Sequence, residues 1–539
     1  MRCITTIAAL RCYLEKCGLE QDDLKQGDLN LLSPLQFEVT TLHQTAVGLV
    51  PTMGALHQGH LSLIKRARLE NATVIVSIFV NPLQFGPKED YQQYPRTLDQ
   101  DRELCEEAGV DVIFAPTPEQ MGITEKYIQE SIITQVIPPS AMISGLCGRS
   151  RLGHFQGVTT IVTKLFNLVK PDRAYFGQKD GQQLAVIKKL VIDLNLPIEI
   201  VACPTVREAS GLARSSRNKY LSEPEKEQAA ILYQSLQLAQ TAFKAGNRNA
   251  NELIALVEQC LARVNPVIVE YVELVEPTTL MPLEFIQEEG MLAIAARLGS
   301  TRLIDNTILR DRKPIIAIDG PAGAGKSTVA RAVAANLGLI YLDTGAMYRA
   351  VTWLVIQSGI SIDSECAIAE LVSQCVIELA PPQNLNSPVQ VYINNHDVTQ
   401  KIRTPEVTEN VSAIAAQTAV REALVKQQQV WGKKGGLVAE GRDIGTQVFP
   451  DAEVKIYLTA SVEERARRRL SDFQKQGLPQ INLEQLEKDI ALRDTKDSTR
   501  KISPLRKAPD AVEIQTDGLD INDVTAKIVD YYEQRLSHQ

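Results

Sequence analysis

From Val47 onward, short β-branched runs alternate with stretches whose apolar residues recur every three or four positions, and turn residues mark the joints. That is the pattern of a parallel sheet flanked by helices. It predicts a strand over Val47–Val50, a helix over Gly59–Glu70, a strand over Thr73–Val80, a helix over Leu98–Ala108 stopped by Gly109, and a strand over Asp111–Ala115. A helix near Val158–Val169, a strand at Ala174–Gly177, a helix at Gly181–Leu194 and a strand at Ile198–Cys203 continue the series, so a doubly wound sheet is expected. Near residue 205 the texture changes. Glu223–Val264 reads as helical, and Val267–Val275 and Met291–Arg297 alternate as antiparallel strands do, which predicts a smaller α+β subdomain. A second series opens with Lys313, Pro314 and the strand Ile315–Ile318 and runs to an amphipathic helix near Ile521–Arg535. Only about Leu309–Lys313 separates the two series, too little for a long tether, and residues 20–45 read as a polar insertion loop.

Length supports this division: 539 residues exceed one ordinary core and suit about three or four folding units. With 44% hydrophobic and 23% charged residues the composition is that of a globular protein, and a net charge of -8 gives no global attraction to nucleic acid. Polyanionic ligands must therefore be met by local clusters of cations and backbone N–H groups. The nine cysteines are scattered and form no C-x-x-C pair, which points to a reducing cytoplasm. Ile4–Leu10 is too short and too soon followed by charge to be a signal peptide, and no apolar run reaches the roughly 18 residues of a membrane span.

Between the strand Ile315–Ile318 and the following helix stands Gly320-Pro-Ala-Gly323-Ala-Gly325-Lys326-Ser327-Thr328, a G-x-x-x-x-G-K-[ST] loop in the context that motif requires. The glycines let backbone N–H groups curl around phosphate oxygens, the helix start adds its positive dipole end, Lys326 reaches the outer phosphates, and Ser327 ligates Mg²⁺. Nucleotide binding follows, with Gly320, Gly323, Gly325, Ser327 and Thr328 on the ATP side.

The rest of this half carries Leu342-Asp-Thr-Gly-Ala-Met-Tyr-Arg349, Glu440-Gly-Arg-Asp443 and Arg493-Asp-Thr-Lys-Asp497-Ser-Thr-Arg500, and over nearly its whole length it resembles cytidylate kinase. The resemblance implies a nucleoside-monophosphate pocket lined by Thr344, Arg349, Ser412, Arg421, Arg442, Asp443, Arg493, Asp497 and Arg500. Arg349, Arg442 and Arg500 would clamp the acceptor phosphate, Ser412, Arg421 and Asp443 would read the cytosine edge, and Asp497 with Arg493 would hold the ribose region. The run Arg465, Arg467, Arg468, Arg469 on a predicted helix is open to two readings, a lid over ATP or a solvated basic face.

In the first half, Val50-Pro-Thr-Met53-Gly-Ala-Leu-His57-Gln-Gly-His60 joins a strand to a helix and sets two imidazoles beside the helix's positive end. Such imidazoles can donate to ATP phosphates and to the charge that builds during adenylyl transfer. A zinc pair lacks a third ligand and the H-E-x-x-H order. Strand, H-x-G-H and helix resemble the nucleotidyltransferase superfamily. Phe79-Val-Asn-Pro-Leu-Gln-Phe-Gly86, Leu146-Cys-Gly148, Gly153-His-Phe-Gln-Gly157, Tyr175-Phe-Gly-Gln-Lys-Asp-Gly-Gln-Gln183, Ser215-Ser-Arg-Asn218 and Thr301-Arg-Leu-Ile-Asp-Asn306 together resemble pantothenate synthetase. The resemblance implies an ATP side of His57, His60, Lys179, Asp180, Ser215, Ser216 and Arg217, with Gly177 and Val206 nearby. Met53, Asn81, Gln84 and Gln183 would hold pantoate, Met53 bordering the ATP side. Ser210, Arg214 and Leu152 depart from the residues usual in that family.

The fold class expected is α/β: a Rossmann-like nucleotidyltransferase domain with a small α+β subdomain (1–308, dividing near 204), a linker at 309–313, and a P-loop nucleoside-monophosphate kinase domain (314–539). A bifunctional cytoplasmic enzyme is expected, taking ATP, Mg²⁺, pantoate, β-alanine and CMP or dCMP, binding neither nucleic acid nor membrane, and dimerising through the first half. Other acceptors on the same folds, or a kinase half serving only as a nucleotide sensor, are the alternatives; intact Lys326 and Ser327 speak against the sensor.

Overall fold

The computed structural model describes residues 1–16, 46–86, 91–124, 133–264, 267–380, 389–475, 482–499 and 503–537. The expected insertion at 20–45 and the phosphate clamp Arg500 lie outside the described residues. The chain divides into two compact units, with the boundary between Asp311 and Arg312.

In the first unit β1 (Arg2–Ile4), β2 (Val47–Thr52), β3 (Thr73–Ile78), β4 (Val112–Phe114), β5 (Arg173–Gly177) and β6 (Glu199–Cys203) form one parallel sheet in the order β1-β4-β3-β2-β5-β6. Its central strands are apolar on both faces. Leu49 and Ile75 enter one core and Val50, Val74 and Val76 the other, all fully buried, at about 1.5–3 kcal/mol per side chain. The chain steps outward from β2 to β3 and β4 and then returns to β5 and β6, so the strand order reverses between β2 and β5. In open α/β sheets the carboxyl-end loops at such a reversal are where ligands bind.

The expectation that this series opens at Val47 is corrected: β1 precedes it, pairing Arg2 with Val112 and Ile4 with Phe114 at the sheet edge. Three residues, of which only Ile4 is buried, offer no periodicity to read. The helical stretch after residue 222 breaks into Glu223–Ala229, Ile231–Lys244 and Ala250–Leu261. These helices pack on an antiparallel sheet of β7 (Val267–Val275), β8 (Glu289–Leu298) and β9 (Thr301–Arg310), the last of which the sequence pattern did not mark as a strand.

The second unit is built on β10 (Lys313–Asp319), β11 (Ile340–Asp343), β15 (Gly435–Gly441), β16 (Val454–Thr459) and β17 (Val512–Gln515), all parallel, in the order β11-β15-β10-β16-β17. Here too the middle strand is apolar on both sides, Ile316 and Ile318 facing one core and Ile315 and Ala317 the other. A small antiparallel sheet of β12 (Ile377–Ala380), β13 (Gln390–Ile393) and β14 (His396–Asp397), with helices Pro405–Ala416 and Thr418–Gly432, forms the remaining layer.

Candidate active sites

In the first unit, the loop after β2 is tied down before it delivers its histidines. Gly54 N–H donates to Thr52 Oγ1 at 3.2 Å, and the buried carboxylate of Asp101 accepts from Ala55 N at 3.0 Å and Leu56 N at 2.8 Å. His57 then caps helix Gln58–Glu70, its Nδ1 accepting from Gly59 N at 3.1 Å. With Nδ1 an acceptor, the neutral ring carries its proton on Nε2 and presents a donor there. His60 lies one turn on, with ring centroids 4.1 Å apart. Its buried Nδ1 has no hydrogen-bond partner among the described residues. Desolvation first, then Lys179, lowers His57 to about 4, and desolvation with His57 and Lys179 lowers His60 to about 3, so both rings are neutral at pH 7.

Lys179 and Asp180 enter from β5, on the other side of the strand reversal. Desolvation lowers Lys179 to about 8 against the opposing pull of Asp305 and Asp180, leaving it mostly charged at neutral pH. Asn306, on β9, fixes the loop by donating through Nδ2 to Gln178 O at 2.9 Å and Lys179 O at 2.8 Å. Asp180 caps helix Gly181–Asp193 by accepting from Gln183 N at 3.1 Å. A Cβ on Gly177 would meet open space. Ser215 caps the turn Ser216–Tyr220 by accepting from Arg217 N at 3.3 Å, and Val206 O receives Arg214 N at 2.9 Å.

On the side expected to hold pantoate, Gln84 Nε2 donates to Met53 Sδ at 2.7 Å. Asn81 is buried and its Nδ2 donates to Gln84 Oε1 at 3.1 Å and Gly157 O at 3.0 Å, while its Oδ1 accepts from Leu83 N. Asn81 thus spends its polar atoms on shaping the turn Pro82–Gln84. Of the three departures, Arg214 contributes to lowering His57, Ser210 Oγ accepts from Leu212 N at 3.4 Å, and Leu152 is exposed.

In the second unit, β10 ends at Asp319 and the chain turns through Gly320, whose φ of 150° and contact with Leu458 O exclude a side chain. Gly323 and Gly325 take φ of 80° and 87°, and Lys326 opens helix Lys326–Leu337. Lys326 Nζ donates to Pro321 O at 2.7 Å, and Ser327 Oγ donates to Glu440 Oε2 at 2.8 Å. Thr328, next on that helix, is exposed to the same space. A cavity of about 1200 Å³ is lined by this loop together with Thr344, Arg349, Ser412, Arg421, Arg442, Asp443, Arg493 and Asp497, so every described residue expected around the acceptor meets there.

The cavity is rich in cations that the protein does not fully satisfy. Arg442 pairs with Asp497 at 2.9 Å and Arg421 with Asp443, both of the latter buried. The buried Nε atoms of Arg349, Arg421 and Arg493 have no hydrogen-bond partner among the described residues. Burial, then Arg442, lowers Arg493, and burial with Arg442 holds Lys326 well below the usual amine range. An anion is the ligand that relieves such a cluster. The arginine run divides. Arg465 is buried against the phosphate loop, donating to Ala322 O at 3.1 Å and pairing with Asp494; Arg468 donates to Thr516 O at 2.7 Å; Arg467 is exposed.

Sequence reading passed over Asp101, Asn306 and Glu440. Glu440 accepts from Ser327 and from Tyr341, and its backbone carbonyl accepts from Thr344 Oγ1 at 2.6 Å, so one residue joins the phosphate loop to β11. Asn306 ends the motif Thr301-Arg-Leu-Ile-Asp-Asn306 and Glu440 opens Glu440-Gly-Arg-Asp443. Asp101 lies in a helix with no local mark of its role.

Residues 32–308 match the pantoate-beta-alanine ligase family, and residues 316–534 the cytidylate kinase family. A bifunctional pantoate ligase/cytidylate kinase of Trichormus variabilis is 75% identical over 537 residues, covering all of both chains. The chain belongs to the bifunctional pantoate ligase/cytidylate kinase family. Another of these bifunctional enzymes, from Trichodesmium erythraeum, is 57% identical over 99% of this chain and 97% of its own. Among solved structures, pantoate-beta-alanine (pantothenate synthetase) from Thermus thermophilus is 42% identical, covering 57% of this chain and 99% of that one, with a TM-score of 0.49. Like its family, the chain is an enzyme with ligase and kinase halves, both of ATP-using families.

Proposed function

We propose that residues 1–308 join pantoate to β-alanine through pantoyl adenylate, giving pantothenate, AMP and diphosphate, and that residues 314–539 transfer the γ-phosphoryl group of ATP to CMP and dCMP. The observation that supports this best is that each unit gathers donor and basic groups of its own at the start of a helix, His57 and His60 beside Lys179 in one and Lys326 within a glycine loop in the other.

In the ligase half a pantoate carboxylate oxygen attacks the α-phosphorus and diphosphate leaves. The β-alanine nitrogen then bonds to the acyl carbon as the C–O bond to AMP breaks. No protein nucleophile is required. The neutral imidazoles serve as donors, His57 from Nε2, Lys179 and Arg217 supply positive charge, Ser215 and Ser216 shape the nucleotide side, and Met53, Gln84 and Gln183 orient pantoate on the turn that Asn81 holds. In the kinase half an oxygen of the CMP phosphate attacks the γ-phosphorus and ADP leaves. Lys326, Arg349, Arg442, Arg493 and Arg500 neutralise the charge, while Ser412 and the Arg421–Asp443 pair face the base.

Mg²⁺ fits the kinase half, because the Ser327 hydroxyl lies 2.8 Å from a buried carboxylate oxygen of Glu440, an all-oxygen set suited to a hard cation. Ser327 would hold the ion, which when bound screens the β- and γ-phosphate oxygens. A cytoplasmic location and a homodimer through the ligase half complete the proposal, on the strength of the family resemblance. The test is product analysis of the purified chain. ATP with pantoate and β-alanine should give AMP and pantothenate, and ATP with CMP should give ADP and CDP. ADP in place of AMP in the first reaction, or a better substrate than CMP among UMP and AMP in the second, would displace the assignment.

A further inference from the structure

Asp319 ends β10 and is followed at once by the phosphate loop. It is 3% exposed, and its two carboxylate oxygens accept from Ile444 N and Gly445 N, each at 2.7 Å. Those amides open the turn Ile444–Val448, immediately after Arg442 and Asp443. In the sheet, Asp319 stands opposite Gly441, the last residue of β15 to pair with β10. Beyond Gly441 the ladder no longer fixes the backbone, and the carboxylate takes over that task. A Cβ at residue 445 would crowd this contact, 3.3 Å from Asp319 Oδ2 and 3.2 Å from Lys455 Cδ.

We infer that Asp319 is a positioning residue for the kinase reaction, holding Arg442 and Asp443 in register with the phosphate loop so that donor and acceptor nucleotides are set from one strand end. The inference rests on the reading of Arg442 and Asp443 as acceptor-site residues. Both side chains are aimed by their backbone, Arg442 toward Asp497 and Asp443 toward Arg421. Freeing the two amides would let that segment swing while the P-loop, anchored by β10 itself, stays in place. A displacement of about 1 Å at reacting groups lowers rates by on the order of 10²-fold.

The test uses the full chain with Asp319→Asn, which keeps the size but turns an amide NH₂ toward a backbone N–H. The KM for CMP should rise roughly tenfold or more and the preference for CMP over UMP should shrink, while the KM for ATP in the kinase reaction moves less than about threefold. Gly445→Ala, which pushes the turn away and leaves the carboxylate intact, should give the same pattern more weakly, and it decides the matter if Asp319→Asn does not fold. Asp443→Asn separates the two levels. If that variant keeps the CMP preference, the reading of the acceptor site is wrong. If it loses the preference while Asp319→Asn and Gly445→Ala keep the parental KM for CMP, the positioning role is wrong. Equal losses toward ATP and CMP in both variants would mark Asp319 as a general structural residue and also overturn the inference.

Discussion

Asp101 carries a role out of proportion to its visibility. Its carboxylate holds two backbone amides of a loop in which Ala55 takes a φ of 51°, so the loop's shape is imposed rather than intrinsic. Asp101→Asn replaces one charged acceptor, a change worth about 2 kcal/mol, and should slow diphosphate release from pantoate and ATP roughly 30-fold; an unchanged rate would mean the loop keeps its shape unaided. The histidines make a second prediction. Unfolded, both titrate near 6.5, but the folded unit lowers them to about 4 and about 3. Below pH 6.5 the unfolded chain takes up protons that the folded unit refuses. The stability these rings contribute is therefore complete above pH 6.5 and lost as the pH falls toward 4 and 3. Calorimetry should find the ligase unit's transition falling between about pH 7 and about pH 5, with a shallower fall in a His57→Gln, His60→Gln variant. The histidines were legible because their motif is contiguous; Asp101 was not, since its partners lie 46 and 45 residues away.

At the scale of elements, β9 shows why part of the site escaped the periodicity. A strand containing Asp305 and Asn306 departs from strand propensity, and it keeps them for their side chains. Asp305 accepts from both terminal nitrogens of Arg207, at 2.5 and 3.0 Å, and Asn306 clasps the loop that presents Lys179. Asn306→Ala removes two hydrogen bonds of about 1 kcal/mol each, so the ligase KM for ATP should rise roughly tenfold, while circular dichroism of the sheet stays as it was. The long central strands are legible in the sequence because both their faces are apolar. β1 was missed because three edge residues carry no pattern.

For the whole molecule, a ligase half and a kinase half in two compact units mean two separable chemistries. Lys326→Ala should cut CMP phosphorylation by at least about 10³-fold and leave pantothenate formation unchanged, and His60→Ala should do the reverse; loss of both activities in either variant would contradict this. The division into two αβ series was legible because each repeats its own strand and helix rhythm. The order of strands within each sheet was not, since it depends on pairings such as Ile315 with Leu437, far apart in sequence. The seam between the series has a meaning for the gene. Asp311 donates its N–H to Glu288 O at 2.7 Å and pairs with Arg248 at 2.8 Å, while Arg312 pairs with Glu453 at 3.0 Å, so each neighbour of the junction is already bonded into its own side. A stop and a fresh start codon inserted between codons 311 and 312 should therefore yield two stable polypeptides, able to rescue separately the hosts lacking one or the other enzyme.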